Sequence, residues 1–163
     1  MRRLTTCLLL AFVAVPGIAA AQGALRLPLP TPAPSAADTA AVVAAAQRLF
    51  DGMEARDSTT LLAALHPDAV VVSVGADGRA RVMPGPMWAR GVAAAPEPLV
   101  ERMAAPRVEI AGDLATLWTA YDFHIGARFG HCGTDAFQFA RTGRAWRLLV
   151  VTFTRQMTGC AAP

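Results

Sequence analysis

The side chains best suited to chemistry lie on the long strands that the sequence predicts near its end. Asp122, His124 and Asp135 are ionisable groups in an otherwise apolar stretch. If the intervening turn pairs Gly126 with His131, Asp122 lies opposite Asp135, and His124 shares their face. Two close carboxyl groups in an apolar site raise one pKa, which would supply a general acid or base near neutral pH.

A shift of one residue in this pairing turns a different set of side chains toward the interior. It would bring Tyr121 and Phe123 to the inner face and send Asp122 outside. The sequence leaves both registers open. Acids at solvated strand ends, without a chemical role, are the simpler alternative in either register.

Three predicted strands, 113–126, 132–141 and 146–157, position these groups. A turn centred on Gly143 and Arg144 would pair Arg141 with Trp146, Phe139 with Leu148, Phe137 with Val150 and Asp135 with Thr152. The face formed in this way is apolar except near Asp135, as expected of a pocket wall. The residues predicted to contact a ligand are Trp88, Trp118, Tyr121, Phe137, Phe139 and Val150.

Earlier segments predict helices followed by a short hairpin. Ser35 and Asp38 form a capping-box pattern at the start of a helix with an apolar face. A shorter helix should start at Ser58 and end at His66, before Pro67. Strands are predicted at 69–74, 80–83 and 107–111, and short helices at 87–94 and 98–103.

The first 21 residues resemble a secretory signal. Arg2 and Arg3 precede a short apolar run, and small residues at 19–21 suit signal peptidase. A proline-rich linker is predicted at 22–34, one domain at 35–160 and a tail at 161–163. We therefore expect a secreted or periplasmic protein, with no membrane attachment after cleavage.

Loss of this signal would leave two cysteines, Cys132 and Cys160, which favours one disulfide in an oxidising compartment. All 15 basic residues are arginine, and two lie in the signal, so 13 arginines against 12 acids leave a net charge of about +1. This balance does not support a nucleic-acid partner. No metal-ligand motif appears, and neither a metal nor a cofactor is expected.

The order of elements, together with segments 49–74, 121–141 and 146–160, resembles the nuclear-transport-factor-2-like superfamily. The later segments are similar to an exported SnoaL-like subgroup of unassigned activity. The resemblance implies an α+β fold: a cone-shaped, curved antiparallel sheet wrapped around N-terminal helices, also called a cystatin-like roll. Ketosteroid isomerases and scytalone dehydratase share this fold, and Tyr121, Asp122 and Asp135 are similar in type to the isomerase residues.

The leading hypothesis is an exported domain that binds a small apolar or amphipathic molecule in an apolar pocket. A second hypothesis is a cofactor-independent isomerase, dehydratase or cyclase in which Asp135, Asp122 or His124 transfers a proton. A third is a non-catalytic module that forms a homodimer through the outer face of its sheet.

Overall fold

Helices of this protein pack against the inner face of a six-stranded sheet. The computed structural model describes residues 33–160. The predicted signal 1–21, most of the predicted linker and the tail 161–163 lie outside the described residues and stay predictions. In the described part, no helix combines the length and the apolar character needed to cross a bilayer. The elements are α1 (Ala36–Ala55), α2 (Ser58–Ala64), β1 (Leu65–Val74), β2 (Ala80–Pro84), α3 (Gly85–Ala93), β3 (Leu99–Ala111), β4 (Leu114–Ile125), β5 (Arg128–Thr142) and β6 (Ala145–Thr154).

The strand order is β2-β1-β6-β5-β4-β3. Neighbouring strands are antiparallel, except that β1 runs parallel to β6. The predicted α+β class is confirmed, with a mixed sheet in place of a purely antiparallel one. Helix α1 contacts β3, β4 and β6, so the sheet curves around this helix.

The start of α1 follows its capping pattern. The hydroxyl of Ser35 accepts a hydrogen bond from the backbone N–H of Asp38, and the Asp38 carboxylate accepts one from the backbone N–H of Ser35. Val42, Leu49 and Phe50 are buried on the predicted apolar face. The prediction for α2 was partly wrong: Asp57, not Ser58, caps this helix. It also ends at Ala64 rather than His66, because the chain enters β1 at Leu65.

The predicted helix at 98–103 is a strand. β3 pairs with β4 from Leu99 onwards, with an irregularity between Ala104 and Arg107. Pro106 lies within that irregularity, where its missing N–H removes no ladder hydrogen bond. Pairing with a distant strand therefore outweighed the local preference of this segment for a helix. The strand places Leu99 and Glu101 on the inner face of the sheet.

Pairing of β5 with β6 begins as predicted and then changes. Arg141 lies opposite Trp146 and Phe139 opposite Leu148, but the register shifts between Gln138 and Phe139. Beyond the shift, Phe137 lies opposite Val151 and Asp135 opposite Phe153, so the predicted pairs with Val150 and Thr152 were wrong. A bulge in β6 cannot be inferred from the turn alone, because it changes the register away from the turn.

The cysteines lie at the far end of the same strand pair. Cys132 and Gln156 exchange two backbone hydrogen bonds, of 3.0 and 2.9 Å. The chain then reverses, with Gly159 at a φ of 72°, a value that glycine adopts without steric cost. The structure joins Cys132 and Cys160 in a disulfide with Cα atoms 5.9 Å apart. It anchors the C-terminal segment beside β5.

Candidate functional site

A cavity of about 220 Å³ lies between the helices and the inner face of the sheet. Its wall combines twelve apolar side chains with four that can carry charge. The apolar residues are Leu49, Phe50, Met53, Val71, Trp88, Val92, Leu99, Phe123, Phe137, Leu148, Val151 and Phe153, and the ionisable ones are Glu101, His131, Asp135 and Arg155. A largely apolar wall with a few polar groups is typical of small-molecule sites.

The central polar feature of the cavity is a pair of carboxyl groups, from Glu101 on β3 and Asp135 on β5. Asp135 is only 2% exposed. The two groups are close enough to share a hydrogen bond, which requires that one of them carries a proton. Glu101 keeps some accessible surface because it borders the cavity, although protein atoms surround it.

Burial raises the pKa of Asp135 to about 7. A hydrogen bond from Glu101 acts in the opposite direction and offsets only part of this rise. Burial also raises the pKa of Glu101 well above its usual range. The negative charge of Asp135, their hydrogen bond and the charge of Asp122 raise it further. Glu101 therefore holds its proton more firmly and donates the hydrogen bond, and Asp135 ionises first.

The buried Oδ2 atom of Asp135 has no donor among the N–H and hydroxyl groups of the described residues. The proton of Glu101 is the donor that the carboxyl pair itself supplies. Buried polar atoms in native proteins are usually hydrogen-bonded, because their desolvation is otherwise not offset. Because Glu101 and Asp135 both line the cavity, a ligand with an N–H or O–H group would add a donor to the pair.

His131 brings a neutral imidazole to the same wall. Its side chain is 6% exposed, and its ring centre lies 4.6 Å from that of Phe123. Burial, followed by the positive charge of Arg155, lowers the pKa of His131 to about 4. The neutral ring offers one donor and one acceptor near pH 7.

The structure pairs β4 with β5 three residues away from the predicted register, and this odd shift turns Asp122 to the outer face as a one-residue shift would. Asp135 lies opposite Thr119, and Asp122 lies opposite Cys132. The predicted pairing of the two aspartates was therefore wrong. Along β4 the odd-numbered side chains face inward, so Asp122 and His124 lie on the outer face.

On that outer face Asp122 lies between Arg102 and His124, and its buried Oδ1 atom has no hydrogen-bond partner among the described residues. A carboxylate oxygen of Asp122 lies 3.9 Å from Arg102, and the other lies 3.7 Å from His124. The proposed catalytic roles of Asp122 and His124 therefore lose their geometric basis, whereas Asp135 keeps its position at the cavity.

The predicted ligand contacts divide into three groups. Trp88 and Phe137 line the cavity. Phe139 is fully buried and stacks on Phe137 with ring centres 5.8 Å apart, outside the cavity wall. Val150 faces away, because the shift in β6 puts Val151 in its place.

Trp118 and Tyr121 do not contribute to the cavity. Trp118 is 50% exposed on the outer face of β4. Tyr121 faces inward and is buried, but its hydroxyl donates a 2.7 Å hydrogen bond to the backbone oxygen of Thr154. Its role in the described structure is to tie β4 to β6.

Sequence reasoning missed Glu101, because it placed this residue in a short helix. A period-two pattern was present, since Leu99, Glu101 and Met103 alternate with outward residues. An acid at an inward position of a strand is the signal that could have revealed it.

Within residues 33–160, no cluster of three or more His, Cys, Asp or Glu side chains forms a candidate metal site.

Solved structures similar to this one share its fold at low sequence identity. A nuclear-transport-factor-2-like protein of unknown function from Shewanella baltica is 19% identical with a TM-score of 0.58, covering 75% of this chain and 96% of that one. A "putative dehydratase" from Streptomyces avermitilis is 21% identical (TM-score 0.62; 75% and 98% coverage). A protein of unknown function with a cystatin-like fold from Nostoc punctiforme is 14% identical (TM-score 0.62; 76% and 95% coverage).

No functionally curated protein is significantly similar to the chain in sequence. Residues 37–154 match a protein family whose description is "Putative lumazine-binding". This match spans well over half of the chain, and the structural similarities agree on the architecture. The chain therefore belongs to this family, and it has the fold of nuclear-transport-factor-2-like proteins.

Proposed function

We propose that this protein is an exported domain that binds one small, largely apolar molecule in the cavity. A hydrogen-bond donor of the ligand would meet the carboxyl pair of Glu101 and Asp135. The observation that carries the proposal is the carboxyl pair itself, which lies at the wall of a largely apolar cavity. No N–H or hydroxyl group of the described residues donates to the buried Oδ2 atom of Asp135.

The size and lining of the cavity restrict the ligand. Its volume of about 220 Å³ is below the range of about 300–1,000 Å³ that is common for drug-sized ligands. The aromatic residues on the wall are Phe50, Trp88, Phe123, Phe137 and Phe153. Flat rings stack well on such side chains, so we favour a molecule of one or two rings with an N–H or O–H group. Lumazine, a two-ring compound with N–H donors, is the probe indicated by the family description.

Export is supported by two features. The N-terminal segment has the composition of a secretory signal, and a disulfide between Cys132 and Cys160 would persist in an oxidising compartment. Mass analysis of protein exported by its native host tests this part. A mature form starting near Gln22 is expected, and a full-length cytoplasmic protein would contradict it.

A second candidate function is proton transfer without a cofactor, as in an isomerase, dehydratase or cyclase. A pKa of about 7 for Asp135 suits a group that must both take and return a proton near neutral pH. Glu101 would stabilise the charge on Asp135 by its hydrogen bond, while neutral His131 offers a donor nearby. Asp135 and Glu101 replace the sequence-based set in this proposal.

The outer face of the sheet supports the homodimer proposal. Leu114 and Trp118 are 48% and 50% exposed on β4. Large exposed apolar side chains of this kind are enriched in interfaces between proteins. Native mass spectrometry is expected to give twice the chain mass, and a monomer at high protein concentration would contradict the proposal.

Binding can be tested with two probes that differ only in a donor. Naphthalene and 2-naphthol share a ring system, and only 2-naphthol carries an O–H group. We expect both to bind, 2-naphthol more tightly, with a change in tryptophan fluorescence because Trp88 lines the cavity. Lumazine is titrated in the same way.

Substitutions in the cavity wall test whether the probes bind in the cavity. Leu99→Trp should fill the cavity and abolish binding of every probe, whereas Leu114→Trp places the same side chain on the outer face as a control. Asp135→Leu should remove the preference for 2-naphthol. Undiminished binding to Leu99→Trp, or equal affinities of the wild type for the two naphthalene probes, would refute the proposed site.

A further inference from the structure

A second, polar cleft adjoins the apolar cavity. Its volume is about 480 Å³, and it is lined by Ser73, Gly75, Asp77, Arg79, Ala80, Arg81, Arg155 and Met157. These residues come from β1, from β2 with the turn before it, and from the segment after β6. Arg155 borders both spaces.

The strand register explains why the two spaces are neighbours. Ser73 on β1 lies opposite Arg81 on β2 and opposite Phe153 on β6, so these three side chains point to the same side of the sheet. Phe153 lines the cavity. Two residues further along β6, Arg155 points to the same side. The inner face of the sheet therefore changes from apolar to cationic along a single direction.

The charges of the cleft are not balanced by the protein. The arginine ion pairs of the described residues involve Arg102, Arg128 and Arg141, so Arg79, Arg81 and Arg155 have no carboxylate partner within residues 33–160. The one acid of the cleft, Asp77, accepts a hydrogen bond from the backbone N–H of Arg79 in its own turn.

Three guanidinium groups with a single acid leave an excess of positive charge beside the cavity. Guanidinium groups bind carboxylate, sulfonate and phosphate oxygens with two parallel hydrogen bonds. The charge of Arg155 also lowers the pKa of His131 inside the cavity, which indicates that this guanidinium lies close to the cavity opening.

We infer that the cleft binds an anionic group of the same molecule whose apolar part occupies the cavity. The ligand class is thus an amphipathic acid, with a small ring system at one end and a carboxylate or similar anion at the other. This inference rests on the proposed binding function, because an anion site alone would not require the adjoining cavity.

A matched pair of fluorescent probes tests the inference. 8-Aminonaphthalene-1-sulfonate and 1-naphthylamine have the same two rings and amino group, and only the first carries an anion. The wild-type protein is expected to bind both, with the sulfonate more tightly. Each probe should displace the other, because their rings share the cavity.

The decisive variant is Arg79→Gln with Arg81→Gln, which changes the cleft and leaves the cavity wall intact. We expect it to weaken binding of the sulfonate by about tenfold or more, the effect of losing a charge-assisted hydrogen bond. Binding of the neutral amine should not change. The control is Arg107→Gln with Arg144→Gln, an equal loss of charge at two exposed positions outside the cleft.

The outcomes separate this inference from the proposed function. If the amine binds but the sulfonate has equal affinity for the wild type and the cleft variant, the cleft assignment is wrong. An equal loss in the control variant, or simultaneous binding of both probes, also overturns it. If neither probe binds the wild-type protein, the cavity is not a binding site, and both proposals fail.

Discussion

Replacing Asp135 by asparagine should stabilise the protein, and by an amount that depends on pH. The side chain is 2% exposed and burial raises its pKa from 3.8 to about 7. Well below pH 3.8 the carboxyl group is neutral in both the folded and the unfolded chain, and at pH 4 the difference in proton binding has cost little stability. Asparagine has nearly the same shape and is also neutral, so we expect only a small effect on stability at pH 4.

Between pH 4 and 7 the folded protein keeps a proton on Asp135 that the unfolded chain has already lost. The free energy of unfolding of the wild type therefore falls as pH rises through this window, and the loss is complete above pH 7. A change from 3.8 to about 7 corresponds to about 4 kcal/mol. The Asp135→Asn variant avoids this loss, so it should be more stable than the wild type by about 4 kcal/mol at pH 8.

The comparison with the wild type is essential because His131 acts in the opposite direction. Its folded pKa of about 4, against 6.5, makes stability rise with pH between these values. This contribution is common to the two proteins and cancels in the difference. A curve of stability against pH for the wild type alone would not isolate Asp135.

The assay is urea denaturation at pH 4, 6 and 8, followed by circular dichroism with the disulfide intact. Asp122→Asn is the matched control, since this aspartate lies on the outer face with an ion pair to Arg102 that is partly exposed. We expect a change of about 1 kcal/mol or less in the control at each pH. A stability difference for Asp135→Asn that is equal at pH 4 and pH 8 would refute the assignment of a buried, protonated carboxyl pair.

Three further predictions concern parts of the fold outside the cavity. Reduction of the Cys132–Cys160 disulfide, which closes a separation of 28 residues, should lower the free energy of unfolding by about 3 kcal/mol in the chain-entropy model, and equal urea midpoints with and without reductant would contradict this. Ser35→Ala removes the hydrogen bond to the first turn of α1 and should cost about 1 kcal/mol, with Ser35→Asp as a control that keeps the cap. Tyr121→Phe removes the hydrogen bond to the oxygen of Thr154 and should cost about 1 kcal/mol by urea titration without loss of probe binding, because this hydroxyl is not part of the cavity wall.

For the carboxyl pair, local sequence patterns predict one of the two residues and not the other. Asp135 could be identified because it is an acid in an apolar strand with inward neighbours. Its true partner, Glu101, could not be paired with it from the sequence, since 34 residues and one intervening strand separate them. The error with Asp122 arose from a register that is wrong by three residues, since the length of the turn between β4 and β5 could not be read from the sequence.

The bulge in β6 likewise changed which side chain reaches the cavity, here by one residue along the strand. Val150 and Val151 are both valine, so their types give no reason to prefer one at the cavity wall. The shift between Gln138 and Phe139 makes that choice, and further along the strands Cys132 lies opposite Gln156.

The sequence by itself determined the fold class, the capped first helix and the apolar strands, because these depend on neighbours within a few residues. It also indicated the cysteine pair, since only two remain after the predicted signal. Tertiary structure alone decided which side chains meet. Pairing of β3 with β4 turned a supposed helix into a cavity wall and brought Glu101 to the cavity. The bulge in β6 selected Val151 instead of Val150. Such contacts join residues that are distant along the chain, so strand pairing and packing fix them and local propensity does not.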